Sequence, residues 1–245
     1  MAKKYNTTQL DPDTTFERHV YHRDQFAHYL RWTHVLKRVR LGDKVLDFGC
    51  GTSMNLAEVF YRNRFKCERY LGLDIRKPNK KGDKLLEKDW INFATHDLVN
   101  DEIAQLYPED WNLITSFEVI EHIGKQNADS FLQNIRSCCN KDTLVLISTP
   151  VYDEKVGAAA NHIINGEICE FAYDELKDLL EKYFTIEEVY GTFASQRDYK
   201  PEMNEAQTEV YNALSKYYDA NLISNLMAPM FPEKSRNAIW VLKKK

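Results

Sequence analysis

Two carboxylates bracket a glycine-rich turn early in this chain. "VLDFGCGTS" runs from Val45 to Ser53, and "YLGLDI" brings a second acid, Asp74, 23 positions beyond Gly51. Glycines at 49 and 51 let the backbone turn sharply and let a ligand approach with no side chain in the way. A strand that enters such a turn and leaves as a helix presents backbone N–H groups to a ligand. An acid ending the next strand can accept both hydroxyls of a ribose. Asp47 can hold a ligand ammonium, directly or through water, and Asp97 can accept from an adenine amino group. The plainer role for Asp97 is the N-cap of a short helix at "DLVNDEIAQLY". A dinucleotide fingerprint would need glycine where Met54 stands, and no Gly-Lys-Ser/Thr follows the turn.

A second constellation lies further on. In "EVIEHI", Glu118, Glu121 and His122 have i, i+3, i+4 spacing, which gathers them on one side of a helical turn. His162, in "AAANHIINGEICEF", follows Pro150 at the carboxyl end of a strand, where open α/β sheets place ligands. His122, His162 and Glu118 are candidate proton acceptors. All four groups together could instead hold a divalent ion. The bland alternative leaves His162 and Glu167 solvated. Cys50 reads as a small packing side chain between the glycines, with no neighbouring base to make it a nucleophile.

These groups need elements to position them. Residues 14–40 lack Gly and Pro, and Phe26, Tyr29, Leu30, Val35, Leu36 and Val39 could line one face of one helix or two. Gly42 stops that segment before a strand at Lys44–Phe48. Then "NLAEVFYRNR" reads as a helix, "RYLGLDI" as a strand, "INFATHDL" as a weaker third strand and "DWNLITSFEVI" as a fourth. A helix through "QNADSFLQNIRSCC" leads to strand "TLVLISTP", and helix "AYDELKDLLEKY" to strand "FTIEEVYGT". Apolar strands alternating with helices imply a parallel sheet covered on both faces. Residues 192–234 then hold a helical stretch and no obvious strand, far longer than the usual 2–6-residue connection. Their apolar residues (Leu214, Leu222, Ile223, Leu226, Met230, Phe231) argue for packing, and "SRNAIWVLKK" closes the chain as a final strand.

Taken in order, "VLDFGCGTS", "YLGLDI", "ATHDL" and "LITSFEVIEHI" resemble class I S-adenosylmethionine (SAM) dependent methyltransferases over residues 40–190 and the last strand. The "EVIEHI" segment is similar to ubiquinone-pathway O-methyltransferases. The resemblance implies an α/β, Rossmann-like, seven-stranded doubly wound sheet whose last strand is antiparallel. The organisation of the chain gives an expected division into an N-terminal arm and helical cap (1–40), a SAM-binding core (41–191), a helical insertion (192–234) and a final core strand (235–245), the arm and the insertion together forming the acceptor lid. The resemblance also implies that Asp47, Gly49 and Gly51 line the methionine part of SAM, that Asp74 takes the ribose, and that His96 and Asp97 flank the adenine. Glu118 ends the strand facing the reaction centre, and Cys50, Ile75 and Phe117 complete the cofactor-binding set. The expected catalytic residues are Glu118, His122 and His162. A metal set of Glu118, Glu121, His122 and His162 resembles the small-RNA 2′-O-methyltransferases of the Hen1 type. Around "FERHVYHRDQFAHYLRW" and "GTFASQRDYK" the chain is also faintly similar to phage-encoded methyltransferases.

The resemblance leaves the acceptor open. Amino-methylation of DNA bases needs Asp/Asn-Pro-Pro-aromatic where "SFEVIEHI" stands, and cytosine C5 chemistry needs a Pro-Cys pair that is absent. An oxygen or nitrogen of a small molecule or nucleotide is the expected acceptor; RNA and a non-catalytic SAM-binding module are the alternatives. At 245 residues with formal net charge −4, the chain has no global basic excess, though a local basic face remains compatible with nucleic acid. "ERHVYHRDQFAHYLRW" suits stacking and phosphate contact, or more simply a helix capping the pocket; Arg197 and Lys200 form a second polar cluster. Five cysteines without framework spacing suggest free thiols in a reducing cytosol. Neither a signal-type apolar segment nor a run of ~18 apolar residues is found, so no membrane partner is expected.

Overall fold

A computed structural model describes residues 23–64 and 67–245. The expected arm (1–13) and the front of the expected first helix (14–22) lie outside the described residues. The chain runs α1 (Arg23–Leu36), β1 (Lys44–Phe48), α2 (Asn55–Arg62), β2 (Arg69–Asp74), α3 (Lys80–Leu85), β3 (Ile91–Thr95), α4 (Ile103–Leu106) and β4 (Leu113–Phe117). It continues α5 (Ala128–Ser137), β5 (Leu144–Pro150), a hairpin of β6 (Ile163–Ile164) and β7 (Glu167–Ile168), α6 (Tyr173–Glu181) and β8 (Phe184–Gly191). Last come α7 (Gln196–Tyr199), α8 (Glu205–Leu214), α9 (Ala220–Met227) and β9 (Asn237–Lys244).

Alternation along the strands builds two cores from one sheet. Leu46, Phe48, Leu71, Leu73, Ile114, Val145 and Ile147 point to one face, against Phe131, Leu132 and Ile135 of α5 and Leu176 and Leu180 of α6. Val45, Tyr70, Leu113, Leu146 and Val241 point to the other, against α2 (Leu56, Ala57, Phe60) and Val35 of α1. Strands buried on both faces read as near-continuous apolar runs, as these do. The sheet order is β3-β2-β1-β4-β5-β9-β8, with β9 antiparallel to both its neighbours and the remaining pairs parallel. This is the expected seven-stranded, Rossmann-like sheet with its antiparallel last strand. The order reverses between β1 and β4, and a crevice opens there beyond the carboxyl ends of the strands.

Two expectations need correction. Of the face expected over 14–40, Val35 and Val39 are buried and Leu36 packs beside them, but Tyr29 is exposed and Ala27 and Arg31 take the inward positions on α1. The buried arginine is tolerated because an acid meets it from the core, as described below. Within residues 192–234 the packed cluster is Ala194, Tyr199, Ile223, Met227, Ala228 and Phe231, centred on the stacked Tyr199 and Phe231 rings. Leu226 and Met230 stay exposed. Helix α9 leans on α1, so this segment props the N-terminal helix from behind.

Candidate active site

The turn after β1 is shaped by backbone conformation. Gly49 and Gly51 have φ of 80° and 69°, a region side-chain-bearing residues enter at a cost. At Gly49 a Cβ would also sit 2.3 Å from Val119 Cγ2, whereas Gly51 faces open space. Asp74 staples this turn to β2: its Oδ2 accepts from the Gly51 amide at 3.0 Å and its Oδ1 from the Arg76 amide at 2.9 Å. Each carboxylate oxygen keeps a further lone pair, so the acid can hold the turn and still accept ligand hydroxyls.

The cavity above has a volume of about 590 Å³. All ten residues expected to bind the cofactor line it: Asp47, Gly49, Cys50, Gly51, Asp74, Ile75, His96, Asp97, Phe117 and Glu118. Helix α1 closes it with His28, Arg31 and Trp32, and His122 and Ile123 form the far wall. No residue of 192–234 lines it; Arg197 faces a separate groove with Tyr152, Asp198 and Arg236. Over this cavity stands α1, with the insertion packed behind it.

At the floor, Asp47 is buried and accepts from Tyr70 Oη at 2.6 Å and Thr115 Oγ1 at 2.8 Å. Burial pushes its carboxyl up to about 6, although those two hydrogen bonds pull the other way. Beyond the end of β3, His96 is fixed by Asp101 (2.8 Å) and Tyr107 (2.9 Å). Asp97 accepts from the Val99 and Asn100 amides and so closes a turn rather than capping a helix; α4 starts at Ile103, with Glu102 at its N-cap. The Cys50 thiol is buried and packs against Gly72; burial and the nearby Asp47 and Asp74 charges drive its pKa far up, which removes it as a nucleophile.

The "EVIEHI" groups do not converge as one helical turn would bring them. Glu118 takes a left-handed conformation, φ 59°, and only Ile120–His122 forms a single 3₁₀ turn. Glu118 is thereby turned toward α1 and β9. Its carboxylate meets Arg31 Nη2 at 3.0 Å, Asn237 Nδ2 at 2.9 Å and Ser148 Oγ at 3.0 Å. Burial raises its pKa, but Arg31 and the Asn237 and Ser148 hydrogen bonds outweigh that and hold it below the ordinary range. Such an ionised, fully engaged carboxylate is a poor proton acceptor and a strong tie between three elements.

Glu121 and the two histidines do come together. Glu121 is completely buried, with Oε2 accepting from Thr149 Oγ1 at 3.0 Å and Oε1 without a hydrogen-bond partner among the described residues. Burial and the Glu118 charge push its carboxyl well above the usual range. His122 and His162 pack edge to face, ring centroids 4.7 Å apart. Among the described residues, Glu121, His122 and His162 form a group whose ligand atoms lie within 4.8 Å of one another. Glu118 is outside it, so the expected four-ligand set reduces to three. His162 is buried behind His122 and does not line the cavity; the His122 pKa is lowered by burial and by the neighbouring His162.

Two groups were missed in the sequence reading. Arg31 was hidden in a run of cations, though its i, i+4 spacing with Ala27 and Val35 marks the inward face. Glu170 contacts His162, and the Asn165-Gly166 dipeptide announced the hairpin that brings it there.

Strand order, glycine turn and the acid ending β2 define a Rossmann-like nucleotide-binding enzyme. The profile of the methyltransferase-domain family matches residues 21–210, and the chain belongs to that family; it is a SAM-dependent methyltransferase. Among solved structures it is similar to a TehB-like SAM-dependent methyltransferase from Corynebacterium glutamicum, with TM-score 0.56 and 16% identity over 88% of this chain and 87% of that one. The mitomycin 7-O-methyltransferase MmcR aligns with TM-score 0.55 and 13% identity over 88% of this chain and 53% of that one. Phosphoethanolamine N-methyltransferase 2 from Haemonchus contortus, in complex with SAM, aligns with TM-score 0.53 and 15% identity over 88% and 52%. At such identities the likeness concerns the fold. No curated protein matches the chain. No described helix is long and apolar enough to cross a membrane.

Proposed function

We propose that the enzyme methylates an oxygen or nitrogen of a small molecule or nucleotide, with His122 taking the acceptor's proton. Bound SAM would supply the methyl group on a sulfonium, whose sulfur would keep the carbon–sulfur electron pair as the leaving group. The chain's residues then have two tasks, alignment and proton removal. Asp47 holds the ammonium end, Asp74 the ribose, and His96 and Asp97 the adenine edge. His28, Trp32, Ile123 and His122 wall the remaining space for the acceptor.

The observation that supports this reading most is the position and state of His122. It lines the same cavity as the cofactor set, and its lowered pKa leaves the ring neutral and able to take a proton at physiological pH. Glu118 serves in this reading as an anchor for α1 and β9. His122→Gln provides the test: SAM affinity by calorimetry should be unchanged, while methyl transfer falls about 100-fold. Equal rates for the two proteins would remove His122 as the base.

One observation favours a second reading. The unpartnered Glu121 Oε1 beside two imidazoles is a donor set that suits a divalent ion. Glu121, His122 and His162 would hold it, and it would polarise an acceptor oxygen as a Lewis acid. Full methyl transfer after dialysis against EDTA would remove this reading.

A further inference from the structure

Beside His162 stands a buried carboxylate with no part in the mechanism so far. "HIINGEICE" reverses direction at Asn165 and Gly166, with φ of 53° and 84°, the positive pair that a two-residue type I′ hairpin requires. Ile163 pairs with Ile168 and Ile164 with Glu167, and the Cys169 amide donates to the His162 carbonyl at 2.9 Å. That register delivers Glu170 to the imidazole: Oε1 lies 2.6 Å from His162 Nδ1. The same oxygen accepts from the Ala159 amide at 3.0 Å. Both side chains are buried, Glu170 at 5% and His162 at 8% exposure. A carboxylate this near a ring nitrogen fixes the tautomer, with the hydrogen on Nδ1 and the lone pair on Nε2.

The consequence reaches His122. The single turn Ala160–His162 is gripped at both ends by one Glu170 oxygen, through the Ala159 amide and the His162 ring. The His122 ring packs edge to face on the His162 ring, centroids 4.7 Å apart, so it rests on the side chain that Glu170 holds. A second imidazole is thus oriented by the turn that Glu170 closes.

We propose that Glu170 is a positioning residue for methyl transfer: it sets the His162 tautomer and locks the turn that aims His122 at the acceptor. This rests on His122 being the proton acceptor, but its first consequence can be read without any acceptor. The experiment is long-range ¹H–¹⁵N NMR of the histidine side chains of the full chain with SAM added. Signals are assigned with His162→Gln and His122→Gln. Wild type should show His162 with hydrogen on Nδ1. Glu170→Ala should shift His162 toward the Nε2–H form and move the His122 signals, while Glu170→Gln, which keeps an acceptor, should preserve both.

Gly166→Val leaves all these side chains intact but forces a branched residue into positive φ; it should reproduce the Glu170→Ala spectrum. In the methyl-transfer assay Glu170→Ala should lose about 10-fold or more in kcat with SAM affinity unchanged, and Glu170→Gln should recover most of it. An Nε2–H His162 in wild type, or a spectrum unaltered in Glu170→Ala, would overturn the proposal. So would a shifted tautomer with unchanged kcat. The expected tautomers with kcat insensitive to His122→Gln would instead locate the failure in the choice of base.

Discussion

Acidification should weaken SAM binding through one residue, Asp47. Its side chain is 4% exposed, and burial lifts its pKa from 3.8 to about 6, with a smaller upward push from Asp74. A raised pKa leaves the charge present above about pH 6 and lost as the pH falls below it. The ligand ammonium pairs with the charged form, so affinity should be highest near pH 7.5. At pH 5, one unit below the pKa, about one molecule in eleven is ionised, which raises Kd about tenfold, or ~1.4 kcal/mol. The same shift means the ligand-free fold binds this proton more tightly than the unfolded chain does. Its stability therefore falls as the pH rises through roughly 4 to 6, and the ligand's ammonium offsets that loss. Calorimetric titration from pH 5.0 to 7.5, in two buffers of different ionisation enthalpy, reads both Kd and protons released. Close to one proton should leave on binding near pH 5. His28 does not enter this window, because burial and Arg31 lower its pKa to about 4. A flat Kd with no proton release would refute the reasoning, as would Asp47→Asn retaining the same pH dependence.

Further substitutions separate conformational cost from packing and from charge. Gly51→Ala costs only its backbone conformation, about 1–2 kcal/mol; Gly49→Ala adds a clash, its Cβ 2.3 Å from Val119 Cγ2, and should unfold at a clearly lower temperature and lose SAM binding, so equal losses for the pair would contradict the account. Arg31→Met leaves the Glu118 carboxylate, whose side chain is 28% exposed, without its ion-pair partner, and should destabilise by about 2 kcal/mol. A double-mutant cycle of Arg31→Met with Glu118→Gln should give a coupling above ~1 kcal/mol in denaturant unfolding; a coupling near zero would show that Glu118 does not hold α1 in place.

The turn and acid that line one side of the cavity were legible because they are built from local rules. Gly49 and Gly51 announce a turn, Asp74 stands at the end of the next apolar strand, and the parallel sheet fixes their distance. The "EVIEHI" half was misjudged because helical spacing was assumed where Glu118 adopts φ 59°, a conformation no composition rule signals. That one residue sends its carboxylate to Arg31 and Asn237, the latter 119 positions away, beyond any local pattern. Only part of the packing of 192–234 was legible, for a related reason. Its apolar residues signalled packing, but which face meets α1 and which stays exposed is settled by tertiary contact. Glu170 lay between these cases, since Asn165-Gly166 is a local signal whose meaning depends on His162 being buried.

The most direct test of the whole account is transfer of tritiated methyl from SAM by the wild-type enzyme into separated nucleic-acid, protein and metabolite pools. The account predicts label in small molecules or nucleotides, reduced about 100-fold in His122→Gln while SAM binding persists. Tight SAM binding with no label in any pool would contradict it, and would leave a SAM-binding module without catalysis.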